Sequence, residues 1–224
     1  MKQSRYPGVF EQKKGRRTIF MTRNLVPGKT VYDERLVKAG NKEYREWNAN
    51  KSKLAAGMLK GIKETGLFEG AVVLYLGAAS GTTASHVSDI VGKQGFVFAL
   101  DFAPRVVRDL VFVCEDRKNM APMMYDANKP EGYKGKMVKE VDVVYQDIAQ
   151  KNQVGIFIKN VEMFLRDNGV GLLVLKARSV DVTKNPRKIF EEVRKELEKH
   201  IKVVDFKTLD PFEKDHAFFV CKKG

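Results

Sequence analysis

Three aspartates stand near the carboxyl ends of successive apolar runs. Asp101 closes GFVFALD (95–101), Asp126 lies at the end of APMMYDA (121–127), and Asp147 closes VDVVYQD (141–147). An ionised carboxylate only accepts hydrogen bonds, so at the rim of a sheet it can take both hydroxyls of a ribose, the task expected of Asp101, or an exocyclic amino group, the task expected of Asp126. The run before them, AVVLYLG (71–77), delivers the chain into Gly77-Ala-Ala-Ser-Gly81 and then into a helix start. Glycines at such a turn let a ligand approach the backbone, and the first turn of the helix offers N–H groups that have no partner. The turn lacks the middle glycine of G-x-G-x-x-G, which makes room for a pyrophosphate, so a dinucleotide fits poorly. A nucleoside cofactor without phosphate fits better, and S-adenosylmethionine is such a molecule.

These residues need a parallel sheet to bring them to one edge, and the chain reads as one. Besides the four runs already given, GLLVLKA (171–177), KVVDFKTL (202–209) and HAFFVCK (216–222) are apolar and strand-like. Helical patterns fall between the runs, at 51–65, 82–92, 104–118, 153–167 and 185–199. Alternation of this kind predicts a parallel sheet flanked by helices. The last two runs are separated only by a turn containing Asp210-Pro211, so they are expected to pair as an antiparallel hairpin. Seven strands ending in such a hairpin make the class I methyltransferase arrangement, a Rossmann-like α/β fold. Residues 1–50 differ in texture. The short β-like runs VFEQ, RRTIFMTRNLV and TVYDERLV, broken by Gly-Lys turns and by Pro27-Gly28, predict a small N-terminal antiparallel β domain, with the catalytic domain over 51–224.

Composition narrows the partners. In 224 residues Lys and Arg number 41 against 28 Asp and Glu, a net charge of +13, which favours a polyanionic partner such as nucleic acid. The N-terminal stretch concentrates this charge, carrying Lys2, Arg5, Lys13, Lys14, Arg16, Arg17 and Arg23 against only Glu11. Such cations supply phosphate contacts without sequence preference, and the sequence has no RNA-recognition-motif signature, KH loop or zinc knuckle to add any. Cys114 and Cys221 both lie in apolar stretches, so neither a disulfide framework nor a metal site is expected. With no apolar run of signal-peptide or membrane-spanning length, a cytoplasmic protein is expected.

The strings NLVPGKTVYDERLV, EYREWNANKSKLAAGML, VLYLGAASGTTASHVSDIVG, DVVYQDIAQ, FLRDNGVGLLVLKARSVD and DPFEKDHAFFV resemble the fibrillarin family almost continuously from about residue 5 to the end. Without a Gly/Arg-rich tail, the chain is similar to the archaeal form. The resemblance implies a guide-RNA-directed ribose 2′-O-methyltransferase acting on rRNA or tRNA. It implies a cofactor pocket at Gly77, Ala79, Thr82, Thr83, Asp101, Phe102, Asp126, Ala127 and Asp147-Ile148-Ala149-Gln150, and a catalytic group of Lys53, Asp147, Lys176 and His216. It also implies as partners a box C/D guide RNA with its rRNA or tRNA target, a Nop-domain scaffold protein and a kink-turn-binding ribosomal-type protein. The family often has Glu where Asp101 stands and Pro where Ala49 stands.

Moving a methyl group from a sulfonium to a sugar hydroxyl requires two atoms held in line and a group that removes a proton from a weak acid. Lys176 closes an apolar strand, where partial burial and a nearby cation are expected to favour the neutral amine that accepts the proton. Lys53, on the helix entering the domain, is expected to be that cation or to hold a substrate phosphate. Asp147 is expected to orient a lysine. His216 begins an antiparallel strand, which puts it at the same sheet edge as the ends of the parallel ones. A non-catalytic RNA-binding subunit and a methyltransferase acting on protein side chains are the competing readings.

Overall fold

The computed structural model describes residues 1–15, 17–137 and 140–224; Arg16, counted above among the N-terminal cations, lies outside the described residues. The N-terminal strands β1 (Lys2–Gln3), β2 (Val9–Lys14), β3 (Arg17–Arg23), β4 (Leu36–Ala39) and β5 (Lys42–Trp47) form an antiparallel sheet in the order β1-β2-β3-β5-β4. One expectation fails here. TVYDERLV is not a continuous strand, because the Glu34 carboxylate turns back to accept the N–H groups of Val31 (3.1 Å) and Tyr32 (2.8 Å) and Asp33 adopts φ 62°. Pairing resumes only at Leu36, and β5 is an additional strand not anticipated from the sequence.

The chain then alternates through α1 (Lys53–Leu59), β6 (Val72–Leu76), α2 (Thr82–Val91), β7 (Phe96–Asp101), α3 (Pro104–Glu115), β8 (Met120–Met124), β9 (Val141–Gln146), α4 (Gln153–Phe164), β10 (Leu165–Lys176), α5 (Ala177–Val180), α6 (Pro186–Leu197), β11 (Lys202–Thr208) and β12 (His216–Lys222). The second sheet has seven strands in the order β11-β12-β10-β9-β6-β7-β8. Strands β6 to β10 pair in parallel, while β12 is antiparallel to both β10 and β11, which is the expected C-terminal hairpin. Helix α1 stops well short of residue 65. Gly61 takes φ 79°, its N–H bonds Met58 O, and the Ile62 N–H reaches back to Gly57 O, a Schellman closure that only a residue tolerant of positive φ makes cheaply.

Side chains alternate between the two faces of the seven-stranded sheet. Val73 and Tyr75 of β6 and Phe218 and Val220 of β12 pack in one buried cluster with α1, α2 and the N-terminal residues Tyr6, Phe20 and Trp47. Leu74 and Leu76, with Phe219 and Cys221, pack on the opposite face against Ile156 and Phe157 of α4 and Ile189 and Phe190 of α6. Both cysteines are free, and burial pushes their thiols up to about 12.

A buried polar cluster fastens the N-terminal sheet to α2. Arg45 of β5 is fully buried; it donates to Asp89 (2.8 Å), Ser85 (2.9 Å) and Glu34 (2.6 Å), and Asp89 also accepts from Arg117 (2.7 Å), Thr22 (2.8 Å) and the Leu25 N–H (3.1 Å). Because the Thr22 hydroxyl spends its proton on Asp89, its oxygen receives one from His86 Nδ1 at 2.7 Å. His86 Nε2 is then left to accept from the Tyr32 hydroxyl at 2.7 Å. The ring stacks on Trp47 at 4.7 Å, so Trp47 is interdomain packing and not a base-stacking platform. Burial, reinforced by Arg45 and Arg117, holds His86 well below the ordinary imidazole range.

Two outcomes follow for stability. Replacing Arg45 with Met leaves the Glu34 and Asp89 carboxylates buried without their cation, and denaturant unfolding is expected to show a loss of about 3–5 kcal/mol. His86 has a folded pKa below its unfolded one, so its contribution is complete above about pH 6.5 and is lost as the pH falls from there toward the folded value. The unfolding free energy of the wild type is therefore expected to decline below about pH 6.5, with a shallower decline in His86→Gln.

Candidate functional site

In the seven-stranded sheet the chain leaves β6 toward β7 on one side and returns to β9 on the other. Ligands bind beyond the carboxyl ends of strands at such a switch point. Gly77, just past β6, has φ 83°, and a Cβ there would sit 2.4 Å from the Asp147 carbonyl oxygen. The Gly77 and Ala78 N–H groups both donate to Leu100 O (2.9 and 3.0 Å), and the Asp147 N–H donates to Leu76 O (2.9 Å). The exits of β6, β7 and β9 are thereby locked together.

A cleft of about 250 Å³ opens at this point. Gly77 forms part of its wall, with Asp101 and Phe102 from the end of β7, Asp126 and Ala127 from beyond β8, and Asp147, Ile148, Ala149 and Gln150 from beyond β9. The Asp101 carboxylate is fixed from both sides, Oδ2 accepting the Ala79 N–H (2.9 Å) and Oδ1 the Ala103 N–H (3.1 Å). Each oxygen keeps a lone pair for a ligand hydroxyl. Asp126 Oδ1 accepts the Asn128 N–H (2.9 Å), leaving Oδ2 available. Three expected contacts do not line this cleft. Ala79 sits exposed on the turn at φ 47°, where its N–H is committed to Asp101, and Thr82 is the half-buried first residue of α2. Thr83 is buried and donates to Ser52 Oγ (3.0 Å), so it braces α1 against α2.

A second, smaller cleft adjoins the first and shares Asp147, Ile148 and Ala149 with it. Its other walls are Lys53, Val174, Lys176, Glu213 and His216. All four residues of the expected catalytic group therefore meet in one place, from α1, the exit of β9, the end of β10 and the start of β12. Lys53 Nζ contacts Asp147 Oδ2 at 3.1 Å, which identifies Lys53 as the lysine that Asp147 holds. Burial pushes the Asp147 carboxyl up, and Lys53 and then His216 pull it back toward the charged form. His216 is buried, and its Nδ1 lies 2.7 Å from Lys214 O. A carbonyl can only accept, so Nδ1 carries a proton and Nε2 is the ring nitrogen left without a backbone partner. Lys176 pairs across the ladder with His216, yet its side chain is exposed. The partial burial expected for it is absent because β10 ends there and its side chain emerges at the sheet rim.

Sequence reasoning missed three residues of this site. Glu213 lies in DPFEKDH, where its residue type and spacing alone do not point to the site. Ser52 both caps α1, through the Ala55 N–H, and receives Thr83. Gln153 opens the helix at 153 as expected, yet it is fully buried and bonded to the Lys176 backbone. Its signal was present in the sequence. Residues 153, 156, 157, 160, 161 and 164 of α4 all face inward, so Gln153 and Asn160 are polar residues on an apolar stripe.

Comparison with known proteins shows the family and the fold. The fibrillarin family model matches residues 1–224. A fibrillarin-like rRNA/tRNA 2′-O-methyltransferase of Thermococcus onnurineus is 50% identical over 225 residues, covering 100% of this chain and 99% of that protein. A crystal structure of Aeropyrum pernix fibrillarin with natively bound S-adenosyl-L-methionine aligns with a TM-score of 0.89 and 45% identity, covering 98% of this chain and 96% of that one. The fibrillarin of a fibrillarin/Nop5p complex aligns with a TM-score of 0.88 and 38% identity, covering 99% of this chain and 100% of that one.

The close approach at Gly77 makes a measurable difference between two glycines. Gly28 shares its φ of 83° but has open space around its Cβ position. Alanine at either position carries the backbone strain, and only Gly77→Ala adds a collision with backbone. Thermal and denaturant melts are expected to show Gly77→Ala less stable than Gly28→Ala by about 1–3 kcal/mol.

Proposed function

The chain belongs to the fibrillarin family, and on that premise we propose how its residues carry out S-adenosylmethionine-dependent methylation of a ribose 2′-hydroxyl in rRNA and tRNA. The observation that carries the reading is the shared wall. Asp147, Ile148 and Ala149 line both the nucleoside-sized cleft and the cleft that holds Lys53, Lys176 and His216. The residues present fit S-adenosylmethionine. Gly77 brings bare backbone to the wall of the cleft, Asp101 is oriented to accept vicinal hydroxyls, and Asp126 keeps an oxygen for an exocyclic amino group. When bound, the cofactor supplies an electrophilic methyl group on a positively charged sulfur.

The chain's own residues then have separate tasks. Lys176 takes the proton from the ribose hydroxyl as the oxygen bonds to carbon. Asp147 holds Lys53 and keeps that cation beside the reacting hydroxyl, where it stabilises the developing alkoxide. His216, held through Nδ1 by Lys214 O, is a fixed part of the cleft wall beside Asp147. No metal is needed for these steps, since proton removal falls to an amine and the leaving group is neutral.

The fibrillarin/Nop5p complex supports a Nop-domain scaffold as a protein partner, and the rRNA/tRNA methyltransferase activity of the T. onnurineus relative supports RNA as the substrate. To these we add a box C/D guide RNA that selects the nucleotide, a kink-turn-binding ribosomal-type protein that completes the particle, and the cytoplasm as its location. The exposed Lys13, Lys14 and Arg17 on the β2–β3 hairpin offer phosphate contacts of the kind that such an assembly uses.

A radiolabelled methyl-transfer assay in the reconstituted particle tests the reading. Lys176→Ala and Asp147→Ala are expected to lose about 10²-fold or more in rate, with melts unchanged and cofactor still bound by Lys176→Ala. Label released by ribonuclease and not by protease supports a ribose acceptor. Full activity in both variants refutes the assigned roles, and label in protein would move the substrate to a side chain.

A further inference from the structure

The last pair in the β9–β10 ladder is Gln146 with Leu173, yet β10 runs on to Lys176. On its β12 side Lys176 is matched with His216, and on its β9 side it has left the ladder. The side-chain amide of Gln153 fills that place. Its Oε1 accepts the Lys176 N–H (3.0 Å), and its Nε2 donates to the Lys176 carbonyl (3.1 Å) and to the Gln150 carbonyl (2.9 Å). The carboxamide has the donor and acceptor of a peptide unit, so it extends β9 by one rung in strand fashion. Gln153 is itself held, its own carbonyl accepting from the fully buried Gln146 side chain (2.6 Å).

We propose that Gln153 is a positioning residue that keys Lys176 to the 147–150 loop, so that the proton acceptor and the cofactor wall keep one fixed spacing. The inference rests on the reading of Lys176 as the base. Lys176 is exposed and has no side-chain packing to hold it, so its aim is set through its backbone. When the amide is removed the Gln150 carbonyl still accepts the Gln153 N–H (3.2 Å) while the Lys176 end is released, so the effect falls on the chemical step and not on cofactor affinity.

The test uses the assembled particle. Gln153→Met keeps the length and apolar volume but removes all three hydrogen bonds, and Asn119→Leu serves as a control for loss of a buried amide. Asn119 bonds Ser88 O and Gly92 O at the far end of α2. Single-turnover rate at saturating S-adenosylmethionine, cofactor Kd by calorimetry, and Tm are read for each. Gln153→Met is expected to slow methyl transfer about 10- to 100-fold. Its cofactor Kd should stay within about threefold of the wild type, and Asn119→Leu should lose Tm while keeping its rate within the same margin. Should Gln153→Met fail to fold, Gln153→Asn, which keeps the carboxamide but is one methylene shorter, is read in the same way with a smaller loss. A wild-type rate in the Gln153 variant, or a loss confined to cofactor affinity, overturns the inference while Lys176→Ala remains inactive. A fully active Lys176→Ala overturns the base assignment and this inference together.

Discussion

At the exits of β6 and β9 two backbones approach so closely that residue 77 has no room for any side chain, its Cβ position lying 2.4 Å from the Asp147 carbonyl. That contact sets where the 147–150 segment runs. Held there, the segment forms a thin partition with a nucleoside-sized cleft on one side and a lysine-lined cleft on the other. A methyl donor and its acceptor must lie within reach of each other without filling the same volume, and a partition that both clefts share satisfies that requirement. The glycine is therefore needed less for its flexibility than for the space it leaves.

The N-terminal sheet contributes to the same geometry indirectly. It is docked by Arg45, whose charge is balanced by Glu34 and Asp89, and Asp89 is further satisfied by Arg117, Thr22 and a backbone N–H. Buried ion pairs are poor sources of net stability compared with apolar packing, but they tolerate few alternative arrangements. Five residues separate the end of that sheet at Trp47 from Lys53, and the helix that carries Lys53 is capped by Ser52, which Thr83 of α2 also binds. The position of Lys53, the first residue of its short helix, is thus defined at the N-terminus of that helix, by the docked sheet that leads into it and by the α2 residue that binds its cap.

Much of this was legible in the sequence. Apolar runs bounded by turn residues located the seven strands of the main sheet, because parallel strands buried on both faces are nearly uninterrupted in Val, Leu and Phe. The antiparallel hairpin followed from the short link through Asp210-Pro211, and with it the placement of His216 at the active edge. What escaped was local and depended on side chains bonding to distant backbone. Glu34 bonding back to Val31 and Tyr32 delayed a strand that propensity would have started earlier, and Gly61 closed α1 by a six-residue turn inside a pattern that continued to look helical. Gln153 and Asn160 interrupt an apolar helical stripe, but their partners lie on other elements and sequence spacing does not identify those. The exposure of Lys176 escaped for a related reason: the run that precedes it is buried throughout, and only the register of the ladders shows that the strand outlasts its neighbour.

That exposure bears on how the site works. Lys53 is committed to Asp147 and His216 to the Lys214 carbonyl, so among the described residues of the cleft Lys176 is the amine left facing solvent. Only the neutral amine has the lone pair that accepts a proton, and burial ordinarily favours that form. Here the chain provides backbone anchoring on both flanks of Lys176 and no cover over its end. The ribose that brings the hydroxyl is attached to a polyanion, and the chain carries a net charge of +13 that draws such a polymer to its surface. The nucleic acid then does two things at once, delivering the acceptor and excluding water from the amine that must deprotonate it. An amine left open at the rim of the sheet, with its backbone fixed on both flanks, suits an acceptor large enough to cover it.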